Sequence, residues 1–249
     1  MPLIALATGA RLHYEDVGSG EPLIAIHGRL GTARVDLGDV IDWLSADYRV
    51  IAPTLRGYGE SHPKPRDFPL DFYHRDARDV LALMDALDID RAHILGYSDG
   101  GEVALVMAGL APERCRSVMT IGAVGYYGPA MRPVVQSNYP PTWLTPEDMA
   151  LHGIPNADTF ALAWIRALKH IIDSDGDVSL SLAPNITAPL LLMLGVRDTL
   201  NPQEYGQRLV DQTRHGRLIM FDSGHAIHHE QPDEFQKTVR AFLSALPDA

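Results

Sequence analysis

Apolar and polar positions along this chain alternate between a period of two and a period near three and a half. Residues 3–8 and 11–16, joined by Gly9-Ala10 and closed by Gly18-Ser19-Gly20, predict two short antiparallel strands. Continuous apolar runs at 22–27 (PLIAIH), 48–53 (YRVIAP) and 92–97 (AHILGY) predict strands buried on both faces. Runs at 116–122, 189–195 and 217–222 predict three more. Helical spacing fills the intervals. The segment 32–46 carries Val35, Val40, Ile41 and Leu44, and 70–87 carries Phe72, Val80, Leu83, Met84 and Leu87. Further helices are predicted at 101–110, 204–213 and 233–246. Strands alternating with helices predict an α/β fold, a mostly parallel eight-stranded sheet flanked by helices, with the initial hairpin as an antiparallel edge.

One stretch interrupts this order. Between Val124 and Ala183 there is no strong strand, and six prolines occur: Pro129, Pro133, Pro140, Pro141, Pro146 and Pro155. Helical pieces are expected at 146–151 and 158–172. Sixty structureless residues inside an α/β core are improbable, so 124–183 is expected to be a helical cap inserted after the sixth strand. The core is then 1–123 and 184–249, in one structural domain overall. Such insertions sit over the carboxyl ends of the strands, where sheets of this kind bind ligands.

Composition narrows the function classes. With 46% hydrophobic residues in 249, the chain is long and apolar enough to bury roughly 70–75% of its unfolded surface. A net charge of −11 argues against a nucleic-acid binder and against docking on an anionic membrane. Cys115 is the single cysteine, so no internal disulfide forms. The first residues lack a basic stretch followed by an apolar one, and no uncharged run reaches the ~18 residues of a spanning helix. A cytoplasmic protein, monomeric or weakly self-associating, is expected.

Chemistry concentrates at the ends of the predicted strands. Gly96-Tyr97-Ser98-Asp99-Gly100 matches G-x-S-x-G, and it lies between a buried strand and a helix, the context a nucleophile elbow requires. A serine needs a base oriented by an acid. Asp198 follows the strand at 189–195 and His225 follows the strand at 217–222, so Ser98, Asp198 and His225 are expected on one sheet edge in workable order. Asp198 alone would read as a turn residue. Oxyanion donors are expected from the Asp99 amide and from the loop His27-Gly28-Arg29-Leu30-Gly31, assigned to the Arg29 amide with Leu30 as its neighbour. The His27 side chain reads as structural. The run His225-Ala226-Ile227-His228-His229-Glu230 raises a metal site, but it is not H-E-x-x-H and follows a strand through Ser-Gly. Neither metal nor cofactor is expected.

The whole chain resembles the α/β-hydrolase superfamily, and its middle is most similar to the biphenyl hydrolase-like proteins, the group that includes valacyclovir hydrolase. The matching residues run from Arg56-Gly57-Tyr58-Gly59 through Pro65-Arg66-Asp67-Phe68-Pro69, Asp71-Phe72 and Arg75-Asp76-Ala77 to the elbow. Gly31-Thr32, Asp36, Gly38 and Ser223-Gly224-His225 fit the same group. The resemblance implies the α/β-hydrolase fold and a serine esterase. It also implies that Asp99 binds the free α-amino group of a substrate, against the simpler reading that an acid there caps the following helix. Thr54 departs from the pattern, standing where the group carries an acid, and so removes a carboxylate from beside Arg56.

A small-molecule ester is therefore the expected substrate. A general carboxylesterase or lactonase on the same residues is the rival enzyme, and a ligand-binding receptor with an idle triad is the rival outside enzymes. Haloalkane dehalogenase and epoxide hydrolase chemistry are disfavoured, because the resembling families carry an aspartate where Ser98 stands.

Overall fold

The continuous apolar runs become the middle of one eight-stranded sheet in the computed structural model, which describes residues 2–246. The strands are β1 (Leu3–Ala5), β2 (Arg11–Val17), β3 (Pro22–Ile26), β4 (Arg49–Pro53), β5 (Ala92–Tyr97), β6 (Cys115–Ile121), β7 (Leu190–Gly195) and β8 (Gly216–Phe221). Their order across the sheet is β1-β2-β4-β3-β5-β6-β7-β8. Only the β1–β2 and β2–β4 pairs are antiparallel. From β4 onward every neighbouring pair is parallel.

Alternation within the apolar runs divides the core in two. Leu23 and Ala25 of β3, Leu95 of β5 and Leu191 and Met193 of β7 point to one face. There they meet α1 (Ala33–Leu44) and α9 (Pro232–Ser244) through Leu37, Ile41, Phe235 and Val239. Ile24, Ile26, Ile94, Leu190, Leu192 and Leu194 point to the other. That face is covered by α2 (Phe72–Ala86), α3 (Asp99–Leu110) and Leu209 of α7 (Gln203–Val210). Each fully buried Leu or Ile contributes about 1.5–3 kcal/mol, so strands covered on both sides hold the sheet more strongly than the edge hairpin does.

Between β6 and β7 lie α4 (Arg132–Gln136), α5 (Pro146–His152) and α6 (Ala157–Asp173). Thr145 caps α5 in a reciprocal box with Asp148, and Asn156 caps α6 by accepting from the Thr159 amide at 2.8 Å. The amphipathic face of α6 buries Phe160, Trp164, Leu168 and Ile172.

Some boundaries shift for local reasons. The first strand stops at Ala5 because the Leu6 and Gly9 amides are spent on a turn, donating to Ala10 O and Leu6 O. Helix α3 starts two residues early, at Asp99, since Ser98 O already accepts from the Gly101 and Glu102 amides. Helix α7 ends at Val210, where the Thr213 hydroxyl takes the Val210 carbonyl. Two short helices were not expected: α4, within the proline-rich stretch, and α8 (Ile227–Glu230), in the histidine run read as a loop.

Candidate active site

Strand β5 and helix α3 meet at Ser98, whose φ of 54° and ψ of −121° are sparsely populated for a residue with a side chain. Holding it there costs on the order of 1–3 kcal/mol and presents the hydroxyl at the carboxyl edge of the sheet. Gly100 makes the turn possible. A Cβ there would lie 2.3 Å from Ile26 O and 2.4 Å from His27 O, so α3 could not approach β3 as it does.

The loops after β7 and β8 bring the other two expected residues to Ser98. His225 Nε2 lies 2.9 Å from Ser98 Oγ, and its Nδ1 lies 2.7 Å from Asp198 Oδ2. Asp198 Oδ1 accepts from the Leu200 amide at 2.9 Å and the Asn201 amide at 3.3 Å, while Asn201 Nδ2 donates to Oδ2 at 2.9 Å. Burial opposes ionisation of Asp198, but the contact with His225 and these donors outweigh it and hold the carboxyl below its ordinary value. Gly122, at φ 63°, leaves room for the imidazole: a Cβ there would sit 2.6 Å from His225 Cε1.

The loop 27–31 lies beside the serine, with an ideal Gly28 Cβ only 3.1 Å from Ser98 Cβ. Its turn closes through the Gly31 amide on Gly28 O at 3.2 Å, and the Gly28 amide donates to Asp36 Oδ2 at 2.8 Å. The amides of Arg29 and Leu30 have no backbone acceptor among the described residues. The Asp99 amide, in the first turn of α3, has no intrahelical partner. Leu30 takes a left-handed conformation, and its carbonyl lies 2.9 Å from His152 Nε2 at the end of α5. The second nitrogen of His152 accepts the Gly59 amide at 3.0 Å, so one buried imidazole ties α5 to two loops.

Ser98, Asp99, Arg29, Tyr127, Trp164, Leu168, Leu200, Asn201 and His225 surround a cavity of about 240 Å³. That volume falls just below the range of drug-sized pockets and suits a small molecule. Asp99 is buried, and its Oδ1 accepts from the Tyr73 hydroxyl at 2.8 Å. Its Oδ2 has no hydrogen-bond partner among the described residues. Burial pushes the Asp99 carboxyl up, against the pull of Arg29 and the Tyr73 hydroxyl. Asp36 also lines the cavity, and burial pushes it up to about 6.

The remaining candidates have local roles. His27 is buried between Gly28 O at 2.7 Å and the Leu55 amide at 2.8 Å, and burial pushes it down to about 3, so it stays neutral. Burial pushes the Cys115 thiol up to about 12. In the histidine run, His228 Nε2 faces Asp36 O at 3.1 Å and Glu230 accepts the Gly224 amide at 2.8 Å. Arg56 does have a steadying carboxylate despite Thr54: Asp79, two turns into α2, takes its guanidinium through two bonds of 2.7 and 2.6 Å. Sequence reasoning passed over Asn201, Tyr73 and the side chain of Arg29. A polar residue three positions after an expected acid was the available signal for Asn201, and a tyrosine on the apolar stripe of α2 was the signal for Tyr73.

The comparisons with known proteins agree with this architecture. Residues 21–168 match the family described as alpha/beta hydrolase fold, and the chain belongs to that family. It is a hydrolase. It is 32% identical over 245 residues to the serine hydrolase BPHL of Homo sapiens, covering 94% of this chain and 84% of that protein. It is 31% identical over 254 residues to a putative carbamate hydrolase, RutD, of Pseudomonas syringae, covering 91% of this chain and 95% of that one. A solved hydrolase from Pseudomonas aeruginosa PA01 matches with a TM-score of 0.75 and 26% identity over 98% of both chains. No helix among the described residues is long and apolar enough to cross a membrane.

Proposed function

We propose that this chain hydrolyses small carboxylic esters through an acyl-serine, with a preference for acyl groups that carry a free α-amino group. Ser98 Oγ attacks the ester carbonyl carbon as its proton passes to His225 Nε2. The charge that gathers on the carbonyl oxygen is received by the amides of Asp99 and Arg29. The bond to the alcohol oxygen then breaks and His225 returns the proton to it, leaving the acyl group on Ser98. A water molecule gives a proton to His225 and attacks the acyl carbon, and Ser98 regains its proton as the carboxylic acid departs. Asp198 orients the imidazole and stabilises its charged form. The scheme needs neither metal nor cofactor.

The observation that carries this reading is the line of contacts from Asp198 through His225, 2.7 and 2.9 Å, ending on a serine in a strained conformation. Amine preference is supported by Asp99, which lines the cavity beside the serine and buries its Oδ2 without a partner. An ammonium about two atoms from the reacting carbon would satisfy it with a charge-assisted bond. Segment 124–183 is proposed as a lid, with Trp164 and Leu168 of α6 forming one wall.

The test compares kcat/KM for an alanine ester and its N-acetylated counterpart. The free amine is expected to be favoured by roughly 10–100-fold, the worth of a hydrogen bond to a charged group. Asp99→Asn should bring the two within a few-fold of each other. Equal values in the unaltered protein would leave a general carboxylesterase or lactonase, and no turnover of any ester would favour a binding protein.

A further inference from the structure

Two residues of opposite charge that line the same cavity each bury a polar atom without a partner. The atoms are Asp99 Oδ2 and Arg29 Nη1. The Arg29 guanidinium carbon sits 3.7 Å from the ring centroid of Trp164 and 4.5 Å from that of Trp143. Its Nη2 donates to Asn138 Oδ1 at 2.9 Å. Two indoles and an amide from 124–183 thus fix a cation whose Nη1 is buried without a partner. Arg29 and Asp99 feel each other's charge, yet they form no ion pair, so neither satisfies the other.

A guanidinium held in this way is a rigid fork whose free edge matches a carboxylate. Buried donors without acceptors are disfavoured unless a ligand completes them. The apolar wall of Trp164, Leu168 and Leu200 suits a short carbon chain between two charged ends. An uncharged acyl group would leave the guanidinium nitrogen buried and unpaired. A substrate with only an ammonium would complete Asp99 and do nothing for Arg29.

We propose that the Arg29 side chain is a carboxylate-binding group, and that the cavity takes α-esters of acidic amino acids, with the ammonium on Asp99 and the side-chain carboxylate on Arg29. This rests on the amine reading of Asp99 and extends it from one charge to two.

The test uses the α-methyl esters of glutamate and glutamine, nearly equal in shape and different in charge. In the unaltered protein the glutamate ester should exceed the glutamine ester in kcat/KM by about tenfold or more. Arg29→Met should bring that ratio to one or below, and Asn138→Ala, which frees Nη2, should lower it partway. The ratio is the readout because the Arg29 amide serves the reaction itself. Should Arg29→Met fail to fold, product inhibition in the unaltered protein decides the matter: free glutamate should inhibit at concentrations at least several-fold lower than glutamine. A glutamate-to-glutamine ratio near one, or one unmoved by Arg29→Met, overturns the proposal. N-acetylating both esters separates the two readings. If acetylation changes nothing while the ratio persists, Asp99 is not the amine site and Arg29 still holds the carboxylate.

Discussion

Asp198 Oδ2 receives His225 Nδ1 at 2.7 Å while two backbone amides and the Asn201 side chain hold the same carboxylate in place. A carboxylate only accepts, so Nδ1 is the donor in this contact and Nε2 is the nitrogen turned to Ser98 Oγ, 2.9 Å away. Replacing Asp198 by Asn keeps the shape and presents an amide that can favour the other tautomer. Ester turnover should fall by on the order of 10³–10⁴ in kcat with little change in KM. Steady-state kinetics check this, and a loss below tenfold would remove Asp198 from the orienting role.

Amine selectivity should depend on pH with a definite sign. On the proposed reading Asp99 would bind an ammonium only when ionised, and burial pushes its carboxyl up, with Arg29 and Tyr73 pulling against that shift. The preference for a free-amine ester over its N-acetyl counterpart should be greatest between the folded-state value of Asp99 and that of the substrate's α-amine, about 7.7–8.0. It should disappear as pH falls through the Asp99 value, at a midpoint above the ordinary carboxylate range. Reading the ratio of kcat/KM values at each pH cancels titrations common to both substrates. A ratio that stays flat from about pH 7 down to about 4, where the amine is protonated throughout, would contradict the assignment.

Asp36 makes a separate prediction about stability. Burial pushes it up to about 6 from an ordinary 3.8, although the Gly28 amide donates to it at 2.8 Å. Below 3.8 the group is protonated in both folded and unfolded chains, and the raised value has no effect. Above 6 it is ionised in both, and the folded state bears the cost of a charge partly removed from water. Asp36→Asn keeps an acceptor for Gly28 and removes that charge. Its stability relative to the unaltered protein should therefore rise by about 2–3 kcal/mol between pH 4 and 7. Urea denaturation at several pH values measures this, and a difference independent of pH would refute it.

Two glycines of different surroundings should respond oppositely to alanine. At Gly100 the added carbon would be forced against two carbonyl oxygens of the 26–27 segment, so Gly100→Ala should destabilise the fold by about 2–4 kcal/mol or prevent folding. Gly38 lies within α1, where the nearest atom to an added Cβ is the flexible Arg34 Cδ at 3.9 Å. Gly38→Ala should stabilise by about 0.5–1 kcal/mol. Thermal denaturation of both variants is sufficient to decide.

The parts of this molecule legible in its sequence are those whose physics is local. AHILGY could only be a strand buried on both faces, and its span of 92–97 is the observed β5. Ser98, Asp198 and His225 each follow a strand, so the parallel order of the sheet was enough to predict that they meet. What escaped depends on distant partners. Arg29 was read for its amide alone, because the groups that fix its side chain, Asn138, Trp143 and Trp164, lie more than a hundred positions away. Asp79 as the partner of Arg56 escaped for the same reason, since only the packing of α2 against the 54–58 loop brings them together. Helix α4 was hidden by the prolines around it, which suppress helical spacing as a signal.

The most direct test of the account is rapid mixing with a nitrophenyl ester, followed by mass analysis of the acid-quenched protein. A burst approaching one equivalent of nitrophenol, with the acyl mass on the peptide containing Ser98, is the predicted result. Ser98→Ala should abolish both. Turnover that survives Ser98→Ala, or an acyl group found on another residue, would contradict the central claim.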